Sequence, residues 1–502
     1  MRTIRRNRFG SQSSYPRSGG CSGLVYMLLM FLPGPLHAGE PEPSPKPPTD
    51  LPKQLELLVD PAPEPFPALR YSLLLPSEAR KAGSAAPIYL RLVHERHDEW
   101  RKQLGSGSET FLDVPFAAMS IPEAEKFLDR FANVTVQLSA AARRTDCQWE
   151  YVLEGQDPLL ISLSDSQSMR AYGRLLCIKA RYEIRGGKFD QAVSTMQDNL
   201  ALARHVANGP FIVSRLVGVT ISSITLDRVQ ELLQQPGAPN LYWALASLPR
   251  PLIAFDGALV MERQLLELKF PELADLDRLR SAAEWQRLAQ SLRNWAAEVV
   301  DLELSSAKPK HSEEALKKIH AVATADQLQA ARNYLQQKCG LSATQVQAAV
   351  DAEIEVRHTL ALYREMTESW QKWFSVPYPL SLVRAPEVFA ELKDDVSRRE
   401  LFPLSSVLLI EFGNVLKAQA RLDRQITRLQ TIEALRMHAA ATGQLPERLD
   451  EIAIVPVPAD PVTGKPFQYS RQKDAAVLTV TDQPDLTGES QPFPVQIRLR
   501  MN

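Results

Sequence analysis

The order of elements in the last hundred residues limits the fold of this chain most. Apolar residues recur at helical spacing through Leu422, Ile426, Leu429, Ile432 and Leu435, marking a long helix from about Leu404 to Thr442 with one face in a core. It runs into Gly443-Gln444-Leu445-Pro446. Gly443 suits the positive φ that closes a helix, and Pro446 stops the helix from resuming. Asp460-Pro461 and Thr463-Gly464 are turn chemistry. Then the period changes to two. Phe467 and Tyr469 share one strand face, Val477 and Thr479 the next, and Val495, Ile497 and Leu499 alternate with Gln496, Arg498 and Arg500. The expectation is a small α+β module over 403–502, a long helix carrying a three-stranded antiparallel meander.

A chain of 502 residues is too long for one ordinary core, so two or three packed units are expected. A hydrophobic fraction of 44% with 23% charged residues is that of a globular protein, and only 22 glycines suit a helical one. The formal net charge of −1 gives no global electrostatic case for nucleic acid. Residues 1–38 read as an export signal. Arg2, Arg5, Arg6, Arg8 and Arg17 form a basic start, Leu24 to Leu32 an apolar run, and Leu36-His37-Ala38 a cleavage site. The apolar run is about half of the roughly 20 residues that span a bilayer. A membrane contact is expected only if the signal is retained as an anchor. Residues 39–67, dense in proline, read as an extended linker.

The pattern over 68–304 is helical with short breaks, and 313–402 is a second helical segment. Ile88 to Leu104 reads as one helix, and a second opens at Pro122 and runs to about Trp149. Phe211 to Leu233 is apolar all round and reads as a buried central helix. Ala315 to Lys338 and Ser342 to Phe374 read as two helices joined at Gly340. The second carries Val356, Leu360, Tyr363, Met366, Trp370 and Trp373 on one stripe, a core face. Asn240-Leu241-Tyr242-Trp243 follows a Pro-Gly-Ala-Pro break, and Trp243 is expected to anchor the next helix.

Constellations that carry chemistry are few. His94-Glu95-Arg96-His97 has the wrong spacing for a zincin, since two zinc-binding histidines on one helix face stand four residues apart. There is no G-x-S-x-G, no phosphate loop and no G-x-G-x-x-G. His205, His320, His358 and His438 lie on separate helices, and nothing in the sequence selects one. Asp482, Asp485 and Glu489 make an acidic loop that could hold Ca²⁺ but reads better as a solvated turn. After signal removal Cys147, Cys177 and Cys339 remain, an odd number that excludes a full disulfide framework and leaves a Cys147–Cys177 bridge open. No catalytic, cofactor-binding or metal-ligating residue is assigned, and no cofactor is expected.

Three resemblances add to this reading. Ala180, Gly187, Phe189 and Ala192 stand where a tetratricopeptide repeat places small, turn, aromatic and small residues, so 169–207 resembles one isolated hairpin of that kind. Gly443 and Pro446 after the helix, with Asp460-Pro461, Gly464 and Tyr469 in the turn, resemble the globular head of type II secretion pseudopilins over roughly 405–500. That family's processed N-terminal hydrophobic helix has no counterpart at this position, so the resemblance implies a fold and not polymerisation. Ala68 to Leu74, Ala142-Arg143-Arg144 with Cys147 and Trp149, and Pro239 to Ile253 resemble an uncharacterised family of exported planctomycete bacterial proteins, which implies export and architecture and no activity. The fold class expected is thus mainly α, a multi-helix body with the hairpin and the C-terminal module. The function expected is that of an exported scaffold or binding protein, periplasmic or extracellular, with a protein or cell-envelope partner. The alternatives are an enzyme, possibly a hydrolase, with a site assembled from several helices, and a membrane-tethered secretion accessory.

Overall fold

Helical periodicity and scarce glycine produce a mainly helical protein. The computed structural model describes residues 55–95, 97–151, 153, 164–304, 316–408, 412–472, 475–480 and 493–499. The export signal, the linker up to residue 54 and the acids Asp482, Asp485 and Glu489 lie outside these residues. Helices α1 (Ala86–Glu95), α2 (His97–Phe111), α3 (Ile121–Arg130) and α4 (Ala132–Ala142) open the body. Then come α5 (Ser164–Arg185), α6 (Phe189–Ala207) and α7 (Ile212–Leu233). The chain continues through α8 (Tyr242–Ala246), α9 (Asp256–Arg263), α10 (Leu265–Lys269) and α11 (Ala282–Leu304). Helices α12 (Ala325–Lys338), α13 (Ala343–Ala348), α14 (Asp351–Gln371), α15 (Tyr378–Arg399), α16 (Ser405–Leu408) and α17 (Phe412–Thr442) follow.

Helices α5, α6 and α7 pack on one another and carry much of the core. Gly187, with φ of 68°, closes α5. The Lys188 amide donates to the Glu183 carbonyl and the Gly187 amide to Ile184, a Schellman cap. Helices α6 and α7 meet backbone to backbone at Gly218, where an added Cβ would stand 2.7 Å from the Ala203 carbonyl oxygen. Helix α7 is buried on most of its circumference, as its all-round apolar sequence requires. On α14, Val356, Leu360, Tyr363, Met366 and Trp370 join the main core.

Two sheets complete the fold. The larger has the order β1-β6-β5-β4, formed by β1 (Leu55–Val59), β4 (Gln468–Gln472), β5 (Ala475–Val480) and β6 (Phe493–Leu499). The smaller pairs β2 (Lys81–Ser84) in parallel with β3 (Arg144–Asp146). Strands β4, β5 and β6 pair antiparallel in chain order, and a fourth strand, β1, is added in parallel beside β6. The added strand lies inside the stretch expected to be a linker. Leu55-Glu56-Leu57-Leu58-Val59 has no proline, and it pairs in parallel with β6 from Leu55↔Val495 to Val59↔Leu499. Leu57 and Val59 are buried while Leu58 is 42% exposed, the alternation of a half-buried edge strand. The prolines that suggested a spacer lie outside the strand.

Several helices break where the apolar spacing reads as continuous. The one opened by Pro122 divides at Phe131, whose buried ring leaves helical geometry (φ −104°, ψ 11°), and the chain is already in β3 by Arg144. Thr324 starts α12 with a complete capping box to Gln327, later than expected, while Ser342 starts α13 as expected with a box to Gln345, and the helix expected to run on to Phe374 divides at Ala349-Val350. Helix α15 lies within the expected second helical segment, 313–402. Pro379 sits in its first turn, where no hydrogen bond is lost, and Pro386 lies within it.

Helix α17 organises the rest. Leu422, Ile426, Leu429, Ile432 and Leu435 are buried in the main core, each worth about 1.5–3 kcal/mol of burial. That core draws on residues from Leu57 to Leu478, so it crosses all the expected segments from the strand onward. The polar positions of α17 are buried too. Asp423, Arg424, Thr427, Thr431, Glu433 and Arg436 are all under a tenth exposed, so each needs a partner. Arg436 and Glu433, with fully buried side chains, pair at 2.8 Å. Arg436 Nε donates to the Asp60 carbonyl (2.9 Å) and Nη2 to Ala238 (2.9 Å). Glu433 Oε1 accepts the Leu241 amide (3.1 Å), and Asn240 Nδ2 donates to the carbonyls of Glu433 and Ala62. One turn set thus joins β1, the 236–241 loop and the long helix.

Two further nodes repeat the pattern. Arg424 grips Asp460 through Nε and Nη2, at 2.6 Å for the shorter contact, and Asp460 Oδ1 accepts the Val462 amide. This pins the Asp460-Pro461 turn to α17. Asp423 accepts the Tyr378 hydroxyl (2.8 Å) and the Leu252 amide (3.2 Å). Asn240-Leu241-Tyr242-Trp243 is an anchor, but the buried ring is Tyr242, whose hydroxyl donates to the Pro456 carbonyl. Trp243 is only half-buried and donates to Glu64 Oε1 at 2.6 Å.

Removing one member of the fully buried pair, by Glu433→Ala or Arg436→Ala, is expected to cost about 3–5 kcal/mol in urea unfolding. The Glu433→Leu/Arg436→Leu double variant is expected to stay well below the parent. It removes both charges but strands the carbonyls of Asp60 and Ala238. Recovery of parental stability would show that Arg436 matters only as a counter-ion.

Candidate functional site

A concave surface forms where the smaller sheet meets the end of α6. β2 and β3 run in parallel with Lys81 opposite Arg144, and Arg80 and Arg144 line the same cleft. The floor is apolar, with Leu73, Leu74 and Leu75 on one side and Ala142 and Ala201 on the other. Arg80, Arg144, Arg204, Thr145, Gln197, Asn208 and His205 supply the polar lining of a cleft of about 130 Å³. Gln197 Nε2 donates to the Ser72 carbonyl at 2.6 Å, fixing the leucine wall against α6.

Three cations share the cleft without a carboxylate. Arg80 donates Nε and Nη2 to the Leu75 carbonyl (3.1 and 3.0 Å), leaving Nη1 uncommitted. Arg144 donates Nη1 to the Ala82 carbonyl (2.8 Å), and its Nε is buried without a partner. Arg204 stands at the rim in the last turn of α6, where the helix dipole favours a cation. Partial burial, and then the like charge of Arg80, lowers its pKa. No acid and no cysteine lines the cleft.

His205 is the one histidine among those considered from sequence that reaches it. Its Nδ1 lies 3.1 Å from the Tyr89 hydroxyl. Burial, then the charge of Arg204, pushes its pKa down to about 4, against weaker pulls from a backbone hydrogen bond to Arg144 and from Asp146. The imidazole is therefore neutral near pH 7 and already engaged by Tyr89 and the Arg144 backbone. Trp149 stacks on Tyr89 at 6.1 Å and donates Nε1 to the His205 carbonyl at 2.7 Å.

The other candidates are not brought together. His94 is exposed on α1. His320 is exposed and His438 half-buried, while His358 is buried beside Tyr334 with its pKa pushed down by burial to about 4. Among the described residues no group of three or more His, Cys, Asp or Glu is placed to hold a metal ion. Cys147 and Cys177 are buried free thiols, so the bridge left open by sequence is not formed. Cys177 instead accepts from Asn199 Nδ2 at 3.3 Å, and burial raises its pKa to about 12.

The three arginines were not singled out from sequence, although two segments quoted there supply walls of the cleft. Ala68 to Leu74 contributes Leu73 and Leu74, and Ala142-Arg143-Arg144 contributes Ala142 and Arg144. Arg204 had no signal beyond its place on a helix.

A neutral buried histidine makes stability depend on pH. His205 binds a proton below about 6.5 when unfolded but only below about 4 when folded. Its contribution is present above pH 6.5 and is lost as pH falls toward 4. Replacement by glutamine, His205→Gln, should therefore cost more at pH 7.5 than at pH 5, the difference being about 2 kcal/mol. Equal costs in urea melts at the two pH values would show that the imidazole is not held neutral.

No protein-family model matches the chain, and neither the curated proteins nor the solved structures contain a significant match.

Proposed function

We propose that this protein is an exported, helical binding protein and that the arginine-lined cleft is its ligand site. The observation that carries the reading is the make-up of the cleft. It offers three guanidinium groups, with no carboxylate, no thiol and an imidazole already hydrogen-bonded. Such a lining can hold a ligand, but it lacks the free base or nucleophile that acid–base or covalent catalysis requires. Export rests on the basic, apolar and small-residue order of residues 1–38. No helix among the described residues is long and apolar enough to cross a membrane.

The architecture carries two further proposals. The α5–α6 hairpin is related to a tetratricopeptide unit, with Ala180 and Ala192 buried at the approach and Gly187 in the turn. The α17 module is related to the pseudopilin head, a reading supported by Gly443 at the helix end (φ 78°) and by the Asp460-Pro461 turn held by Arg424. The added strand β1 ties this module to the start of the body.

The native protein should be recovered with an N-terminus just after Ala38. Loaded with a small-molecule extract of its host and washed, it should retain one compound class unchanged, detected by mass spectrometry. The Ala201→Trp variant, which fills the cleft, should retain none of it. Conversion of the retained compound, or equal retention by the variant, would overturn the binding reading, and a mature start at Met1 would overturn export.

A further inference from the structure

The proposed binding reading leaves the ligand open, and the geometry points to its class: the cleft between β3 and α6 binds a small oxyanion with more than one negative charge, such as a phosphate or polycarboxylate group. This rests on the cleft being the ligand site. Three cations from three separate segments, Arg80, Arg144 and Arg204, line one concavity. None has a carboxylate partner among the described residues. Buried arginine elsewhere in this protein is paired. Arg181 meets Glu231, Arg424 meets Asp460, and Arg436 meets Glu433. The three cleft arginines differ in being open to solvent, Arg80 and Arg204 exposed and Arg144 half-buried, so their free donors are accessible to a ligand.

The donors left over are suited to a multidentate anion. Among the described residues, Arg80 keeps Nη1, Arg144 keeps Nη2 and a buried, unpartnered Nε, and the Arg204 guanidinium makes no hydrogen bond. Guanidinium groups present planar forks that match phosphate and carboxylate oxygens. Asn208 adds a neutral polar group at the rim. A second anionic charge is called for because more than one cation must be satisfied. Two are held in place by backbone carbonyls, Leu75 for Arg80 and Ala82 for Arg144. These contacts fix the forks before a ligand arrives, which reduces the entropy cost of binding. A volume of about 130 Å³ admits the equivalent of roughly four water molecules, so the anionic group is small. The leucine wall can take a short apolar body attached to it.

The test uses the full mature chain in a buffer free of oxyanions at fixed ionic strength. Inorganic phosphate, sulfate and citrate are titrated by calorimetry, with chloride as the monovalent control. Saturable binding of at least one of the three is expected, with chloride failing to compete at matched ionic strength. Arg204→Glu, at the rim where folding is least affected, should weaken it by roughly ten- to a hundredfold. The surface control Arg130→Glu should leave it unchanged. A preference for phosphate and sulfate over citrate would assign a tetrahedral anion, and the reverse a polycarboxylate. No saturable binding, or equal losses in both variants, overturns the inference. If the extract experiment meanwhile retains a neutral or cationic compound that Ala201→Trp loses, the cleft remains a binding site and only the anion assignment falls.

Discussion

The fold depends on a charge that water cannot reach. Arg436 is fully buried on α17, and a guanidinium there is tolerable only with its donors satisfied. Glu433 supplies the counter-charge one turn earlier, and the backbone supplies the rest. The acceptors are distant in sequence. Asp60 follows the first strand, and Ala238 closes the loop after α7. Satisfying one side chain therefore fixes three parts of the chain at once. Asn240 extends the lock, since its amide reaches both Ala62 and Glu433 while its carbonyl oxygen accepts the Tyr242 amide. Arg424 with Asp460, and Asp423 with Tyr378 and Leu252, do the same for the last turn and for the 250–253 segment.

Periodicity revealed what depends on apolar spacing. The stripe on α17, the stripe on α14 and the all-round apolar α7 are core elements because burial follows the helical repeat. The same rule misled at the other face of α17, where polar residues imply solvent. Only the tertiary arrangement shows that Thr427, Thr431 and Glu433 are enclosed. Strand β1 was hidden by composition, because the prolines that flank it dominate the stretch. The five residues between them alternate as a strand should, with Leu57 and Val59 inward and Leu58 outward. The helix start at Thr324 was legible as a capping box, a local signal that apolar spacing alone passes over.

The cleft was not legible because its chemistry is assembled from residues far apart. Arg80 and Arg144 line one cleft only through the parallel pairing of β2 with β3, and Arg204 joins them only because α6 ends against that pair. His205 was one of four scattered histidines. Its place became evident with Tyr89, Trp149 and the Arg144 backbone around it.

The central claim is that the Glu433–Arg436 lock makes the N-terminal strand and the long helix one cooperative unit. Native-state hydrogen exchange of the backbone amides of Ala62 and Leu241 measures this directly. Ala62 N–H donates to the Arg436 carbonyl, and Leu241 N–H to Glu433. The account predicts that both exchange only through the same large opening as the buried middle of α17, around Ile432. Fast exchange at Ala62 and Leu241 while Ile432 stays protected would show that the strand and loop detach without the helix, and would contradict it.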